Sequence, residues 1–148
     1  MKYILPLVLT AFIPVFAVAE TTTSAPSANV IRPAGESDLS EFLWIKRPVV
    51  VFADNAADPR YGEQIELLTS RLEPLIERDV IVLTDTDPAA ESPLRTKLRP
   101  RGFMLVLVAK DGSVLLRKPF PWSVRELTRS IDKLPARQRE VRERRGDS

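Results

Sequence analysis

Four acidic side chains follow two apolar segments of the sequence, at the points where those segments end. They are Asp54, Asp58, Asp85 and Asp87, after residues 49–53 and 80–83. If both segments are parallel strands, these carboxylates lie at the sheet edge where open α/β folds bind ligands. Such a group would suit a hard cation, Ca²⁺ or Mg²⁺, or a carboxylate-based hydrolase. Aspartate is also an ordinary turn and cap residue, and the sequence has no calcium-loop spacing, so we predict no metal.

The composition removes several classes of chemistry. The 148 residues include no Cys and no His. Without a thiol, the chain has no means of disulfide exchange, no peroxidatic cysteine and no thiolate nucleophile. Without an imidazole, it has neither a histidine general base nor a conventional zinc site. The net charge is only +2 and basic residues alternate with acidic ones, so no nucleic-acid footprint is present. We therefore predict no cofactor and no nucleic-acid partner.

The elements that must position these side chains follow from the apolar pattern. In chain order they are a short helix at residues 39–44, strands at 49–53 and 80–83 joined by a helix that begins at Pro59, a helical turn at 93–98, strands at 103–108 and 113–117, and a helix at 123–134. Continuous β-branched runs indicate strands that are buried on both faces. Asp38 and Glu41 form a capping-box pattern, and Asp111-Gly112 predicts a hairpin. Pro74 is expected to interrupt the long helix.

The order of these elements predicts a minimal thioredoxin-like α/β fold. Its four-stranded mixed sheet would have the strand order 2-1-3-4 and would lie between helices. The domain is expected to span residues 37–135. Residues 20–36 are predicted to be a disordered linker, and residues 136–148 a polar, Arg-rich tail. Trp44 and Trp122 are expected to pack against the first strand and the hairpin.

Four strings of the sequence add a family resemblance. They are Trp44-Ile45-Lys46-Arg47-Pro48, Glu77-Arg78-Asp79, Lys110-Asp111-Gly112 and Ile131-Asp132-Lys133-Leu134-Pro135-Ala136-Arg137-Gln138-Arg139-Glu140. Together they resemble the family called domain of unknown function 4174 (DUF4174), small exported bacterial proteins with a thioredoxin- or peroxiredoxin-like fold. The same module resembles repeats in secreted sushi-repeat and equarin-type matrix proteins. The resemblance covers about residues 39–140. It implies a fold and an exported location, with no established activity and no catalytic residues.

The loop after the first strand is the first candidate ligand site. In a redox-active thioredoxin the nucleophilic cysteine would lie here, because a helix N-terminus lowers the pKa of a thiol. This chain has Asp54, Asn55 and Asp58 in the loop instead. The helix start could still bind an anion or a partner's carboxylate. The alternative is that Asp58 only caps its own helix.

A second candidate surface faces that loop. Thioredoxin-like folds often place a cis-proline just before the third strand, where Pro100 and Arg101 stand in this sequence. A cis Pro100 could present its backbone to an extended peptide, whereas a trans proline would only mark the strand start. Tyr61, with Glu63 and Gln64, is expected on the first turn of the long helix beside the same groove. The predicted ligand-binding residues are therefore Asp54, Asn55, Asp58, Tyr61, Pro100 and Arg101.

The first 19 residues have the pattern of a cleavable signal peptide. Lys2 provides a positive start, residues 4–18 carry no charge, and Ala17-Val18-Ala19 fits the cleavage motif. An uncleaved anchor is disfavoured because the run is short for a membrane span and contains two prolines. We expect cleavage before Glu20, a periplasmic or secreted location, and no transmembrane segment after cleavage.

These observations favour a binding or interaction module of the cell envelope, with a protein or peptide partner and without enzymatic activity. A structural or adhesive role would fit the resemblance to matrix proteins. The competing hypothesis is a metal-dependent or carboxylate-based hydrolase that uses the edge formed by Asp54, Asp58, Asp85 and Asp87.

Overall fold

The structure, a computed structural model, describes residues 30–146. The predicted signal peptide and its cleavage point lie outside these residues. In chain order the elements are β1 (Ile31–Pro33), a 3₁₀-helix (Leu39–Phe42), β2 (Arg47–Phe52), α1 (Pro59–Thr69), α2 (Glu73–Glu77), β3 (Val80–Asp85), a 3₁₀-turn (Pro88–Ala90), α3 (Pro93–Leu98), β4 (Met104–Val108), β5 (Val114–Lys118), α4 (Val124–Asp132) and α5 (Pro135–Gly146).

The strands form one five-stranded sheet in the order β1-β3-β2-β4-β5. Strands β1 and β2 run parallel to β3, whereas β4 is antiparallel to β2 and to β5. The prediction of four strands was wrong, because Ile31–Pro33 pairs with β3 and is not part of a disordered linker. With this added edge strand, the order of the sheet differs from the predicted four-stranded order. The other four strands keep the predicted neighbours, with β5 at the opposite edge.

Helices cover both faces of the sheet, which confirms the α/β class. Strand β2 shows how the sequence produces this sandwich, because alternate side chains point to opposite faces of a strand. Val49 and Val51 pack under α1, α2 and α4. Val50 and Phe52 pack under the first 3₁₀-helix and α3. All four are fully buried, as the continuous apolar run predicts.

The helices begin and end where the sequence supplies caps and prolines. Asp38 and Glu41 form the predicted capping box of the first 3₁₀-helix. The long helix ends at Thr69, and the chain resumes as α2 with Pro74 in its first turn. Pro135 does end α4, but it also begins α5, because proline at the first helical position loses no hydrogen bond.

Helix α5 belongs to the domain and is not a solvated tail. Its Arg137 is buried, and its Glu140 pairs with Arg47 at the start of β2. The predicted domain boundary at residue 135 therefore falls too early, because the alternating charges of α5 hid two residues that pack inward. None of the helices in the described part of the chain is long and apolar enough to cross a membrane.

Candidate binding site

The helix start predicted as a ligand site is occupied by its own side chains. Asp58 caps α1, and its Oδ1 accepts a hydrogen bond of 2.9 Å from the backbone N–H of Arg60. The Arg60 guanidinium donates to both carboxylate oxygens, with Nη2 2.9 Å from Oδ2. The side-chain hydrogen bond from Arg60 lowers the pKa of Asp58. The positive end of the helix is thus already balanced by an anion from the same turn.

The same guanidinium lies between the two loops that were predicted to form a groove. It stacks over Phe103, with its carbon 5.6 Å from the centre of the ring. Its Nη2 also lies beside Gly102, 4.0 Å from the position that a Cβ atom on this glycine would occupy. Arg60 was not among the predicted site residues, yet it joins the start of α1 to the loop before β4.

The other predicted residues of these two loops make only local contacts. Asp54 is exposed, and the Asn55 side chain accepts a hydrogen bond of 2.9 Å from the backbone N–H of Ala57. No peptide bond between residues 30 and 146 is cis, so Pro100 is the trans proline of the two alternatives. Arg101 is exposed beside it.

The aspartates after β3 are engaged separately. Asp85 is buried, and it accepts hydrogen bonds from the Ser92 hydroxyl at 2.5 Å and from Arg95 at 2.9 Å. Burial alone would raise the pKa of Asp85, but these hydrogen bonds outweigh it and hold the pKa below its usual value. Asp87 caps the 3₁₀-turn that follows. Among residues 30–146 no three acidic side chains are placed to hold a metal ion, and nothing in this arrangement favours the hydrolase.

An open pocket of about 380 Å³ lies at the carboxyl ends of β1 and β3. Tyr61 lines it together with Asp85 and Asp87, whereas the other five predicted ligand-binding residues do not. Gln64, expected beside Tyr61 in the groove, is fully buried instead. It exchanges two hydrogen bonds of 2.8 Å with the backbone of Trp122. The Trp122 side chain packs against the hydrophobic core, as predicted. We call the end of the sheet at which the parallel strands β1, β2 and β3 finish the carboxyl edge.

The opposite end of the sheet carries a network of charges that the sequence analysis missed. Arg47 begins β2 and is only 1% exposed. Its Nη2 lies 2.8 Å from Oε1 of Glu140, and its Nη1 donates to the backbone carbonyl of Arg78 at 2.9 Å. A buried guanidinium needs such partners, because an unpaired charge in the interior is costly. Its Nε has no hydrogen-bond partner.

Two further cations and a second carboxylate complete this network. Lys110 lies between Asp79 and Glu140, at 2.9 and 3.1 Å. Arg137 approaches Glu140 at 3.4 Å. Burial would raise the pKa of Glu140, but hydrogen bonds from Arg47 and Lys110 lower it to about 2. We call this set the basal network; its members are Arg47, Asp79, Lys110, Arg137 and Glu140.

An open pocket of about 590 Å³ adjoins the basal network. Its walls include Trp44, Lys110, Leu115, Leu134, Ala136 and Arg139. Trp44 was predicted to pack against the first strand, and that prediction was wrong because 75% of its surface is exposed. Its backbone is left-handed, with φ of 64°, and its N–H donates to the carbonyl of Lys110 at 2.7 Å. A bulky residue in this region is strained, and such strain is often found at functional sites. We call this cavity the basal pocket.

The four strings that carried the family resemblance meet at this end of the sheet. The first string contributes Trp44 and Arg47, and the second contributes Asp79. The third contributes Lys110, and the fourth contributes Glu140. Asp79 shares with Trp44 a left-handed backbone, with φ of 56°. Segments far apart in the sequence are therefore brought together in one network, and three of the four also line the basal pocket.

A match to a family profile shows which protein family this chain belongs to. The profile described as "Domain of unknown function (DUF4174)" matches residues 38–140. The chain belongs to this family. The match begins at the cap of the first 3₁₀-helix and ends at Glu140, the ion partner of Arg47. It therefore includes every residue of the DUF4174 basal network.

Solved structures identify the fold of this DUF4174 domain. It is similar to a reduced 2-Cys peroxiredoxin of Plasmodium vivax, with a TM-score of 0.54 and 17% identity over 70% of this chain and 84% of that chain. It is also similar to Prx1a of Plasmodium yoelii, with a TM-score of 0.52 and 19% identity over 68% and 80% of the two chains. At these identities the likeness shows a thioredoxin-like fold. No curated protein sequence matches the chain.

Proposed function

We propose that this protein is a binding module of the cell envelope that acts without redox chemistry and holds a protein or peptide partner in the basal pocket. The observation that carries the proposal is that three of the four family strings line that pocket and the fourth adjoins it through the Asp79–Lys110 ion pair, with a strained and exposed Trp44 at the rim. A large aromatic side chain held in solvent is a common anchor of protein interfaces.

The chemistry of the carboxyl edge supports a role that is not redox catalysis. A thioredoxin-type enzyme needs a thiolate at the start of the first long helix. In this DUF4174 domain that position carries the Asp58–Arg60 pair, and the chain has no thiol to replace it. Any reduction of insulin disulfides, or consumption of peroxide above the buffer rate, would contradict this part of the proposal.

The composition of the basal pocket supports a peptide or protein as its occupant. Leu115, Leu134 and Ala136 provide apolar walls, and Lys110 and Arg139 provide polar ones. Leu43 and Ile45, on either side of Trp44, are also exposed. Three consecutive exposed apolar residues are unusual on a monomer surface and are typical of an interaction site.

Affinity capture from a cell-envelope fraction tests the site of binding. Three baits are compared: the unaltered chain, Trp44→Ala and Asp58→Asn. We expect the unaltered chain and Asp58→Asn to retain the same partner, and Trp44→Ala to lose it. A partner that is lost with Asp58→Asn and kept with Trp44→Ala would move the site to the carboxyl edge, where the sequence analysis placed it.

We also propose that the chain is exported and acts in the periplasm or outside the cell. The proposal rests on the signal-peptide pattern of residues 1–19. N-terminal sequencing of the protein recovered from cell fractions tests it. A chain that begins at Glu20 in the periplasm or the medium is expected. An uncleaved chain confined to the cytoplasm would contradict export.

A further inference from the structure

A third pocket lies on the other flank of α5, apart from the basal pocket. Its volume is about 390 Å³. Its charged walls are Glu77, Arg78, Asp132, Arg137, Arg142 and Arg145. We call it the arginine pocket, because guanidinium groups outnumber carboxylates there.

One of the two carboxylates is already fully used. Arg78 donates to both oxygens of Asp132, with Nε 2.8 Å from Oδ1 and Nη2 2.9 Å from Oδ2. This pair lowers the pKa of Asp132 and raises that of Arg78, because each charge stabilises the other. Bidentate pairing of this kind is strong and holds both side chains in place. Glu77, which lies 3.6 Å from Arg78, is the other carboxylate of the pocket.

Arg137 is buried in the wall of this pocket, and one of its nitrogens has no acceptor. Only 3% of its surface is exposed. Its Nη1 donates a long hydrogen bond of 3.4 Å to Glu140 of the basal network, and its distances to Glu77 and Asp132 are 3.8 and 4.0 Å, too long for hydrogen bonds. Its Nε is buried and has no hydrogen-bond partner. A buried donor without an acceptor is costly, so this guanidinium has hydrogen-bonding capacity left for an anion.

Arg142 and Arg145 add two more positive charges at the mouth of the pocket. They are exposed, and neither forms an ion pair within the part of the chain that the structure describes. The pocket thus carries four guanidinium groups, of Arg78, Arg137, Arg142 and Arg145, against the two carboxylates of Glu77 and Asp132. An anion in this pocket would therefore meet an attractive field from several directions.

We propose that the arginine pocket binds an oxyanion of the phosphate class. Planar guanidinium groups match the oxygens of phosphate and form strong charge-assisted hydrogen bonds with them. The volume exceeds that of one phosphate, so the group can belong to a larger molecule such as a phospholipid. Free phosphate and a lipid headgroup share this chemistry. Arg137 belongs to the basal network as well, but Arg142 and Arg145 do not line the basal pocket, so a test on these two residues is independent of the proposed function.

A titration of the full chain with inorganic phosphate, at constant ionic strength, tests the pocket. Amide shifts in an NMR spectrum report where the ion binds. A parallel arm uses vesicles of phosphatidylcholine alone and vesicles of equal parts phosphatidylglycerol and phosphatidylcholine. The test variant is Arg142→Gln with Arg145→Gln. The matched control is Arg139→Gln, which removes an exposed arginine of the same helix that lines the basal pocket instead.

We expect phosphate to shift the amides around Arg137, Arg142 and Arg145, and the double variant to weaken binding about tenfold or more. Arg139→Gln should bind as the unaltered chain does. Binding of the phosphatidylglycerol vesicles that is lost in the double variant would identify a headgroup as the source, and binding of inorganic phosphate alone would identify free phosphate. The proposal is wrong if neither probe binds, or if Arg139→Gln weakens binding as much as the double variant. The second result would show a diffuse attraction to basic residues.

Discussion

The carboxyl edge and the basal network lie at opposite ends of the same sheet. Both are rich in charged side chains, but the partners of those side chains lie at different separations along the sequence. At the carboxyl edge, Asp58 pairs with a residue two positions away, as do Asn55 and Asp87, and the buried Asp85 pairs with Arg95 ten positions away. In the basal network, Arg47 pairs with a residue 93 positions away. Local pairs form as soon as a helix or a turn forms. Long-range pairs exist only in the finished fold, so they report how the domain is held together.

This contrast predicts opposite consequences for equally small substitutions at the two ends. Removing a charge from the basal network should leave another charge buried without its partner. Removing the charge of Asp58 from the carboxyl edge should leave the exposed Arg60 free to return to water.

The substitution Glu140→Gln should destabilise the domain by about 3 kcal/mol, because it leaves the buried Arg47 without its counter-ion. Urea unfolding monitored by circular dichroism measures the change. The control is Glu143→Gln, an exposed glutamate on the same helix, which should change stability very little. Equal effects of the two substitutions would show that the pair with Arg47 contributes nothing specific.

The pKa of Glu140 predicts how the destabilisation caused by Glu140→Gln depends on pH. Its value in the fold is about 2, against an ordinary value of 4.5. The charged form is therefore favoured in the fold, and its contribution is complete above pH 4.5 and is lost as the pH falls toward 2. Glu140 is partly exposed, so after allowance for screening this contribution is on the order of 2 kcal/mol.

The stability gap between the unaltered chain and Glu140→Gln should thus narrow over that acid range. A gap for Glu140→Gln that is the same at pH 6 and pH 3 would show that its carboxylate has an ordinary pKa in the fold.

A comparison of Trp44→Gly with Trp44→Ala should reveal the strain at the rim of the basal pocket. Glycine adopts a positive φ without cost, whereas alanine keeps the Cβ that makes this conformation unfavourable. We expect the glycine variant to be more stable than the alanine variant by about 1 kcal/mol, with binding lost in both. Thermal unfolding measures the difference. A less stable glycine variant would show that Trp44 is not strained.

The smallest effect is expected at the carboxyl edge. Asparagine caps a helix as well as aspartate does, so Asp58→Asn should lose only its exposed ion pair with Arg60. Its melting temperature should match that of the unaltered chain. A clear fall in melting temperature would mean that the Asp58–Arg60 pair holds the loop before β4 in place. The carboxyl edge and the basal network would then contribute more equally to stability than the sequence separations of their pairs suggest.

The sequence predicted the parts of the fold that depend on local pattern. The valine run of β2, the caps at Asp38 and Asp58, and the interruption near Pro74 all have signals within a few residues. The three residues of β1 were missed because they carry no apolar run and pair only with a strand some 50 positions away. Family resemblance and element order together identified the thioredoxin-like fold.

The candidate site was harder to predict, for the same reason. The sequence directed attention to the carboxyl edge, where every residue type has an obvious local role. No residue near Arg47 in the sequence indicates that it is buried. Its partner Glu140 lies in a segment whose composition predicts a polar tail. Trp44 was expected in the core because large aromatic residues usually are, but its backbone is left-handed and its side chain is exposed. One signal was available: the four family strings contained all of these residues.

The most direct test of the account is photo-crosslinking in intact cells. A photoreactive phenylalanine analogue is placed at position 44, beside the basal pocket, or at position 101, on the carboxyl edge; both native side chains are exposed. If the basal pocket holds the partner, position 44 should give a discrete crosslinked partner and position 101 should give none. A partner captured from position 101 and not from position 44 would contradict it.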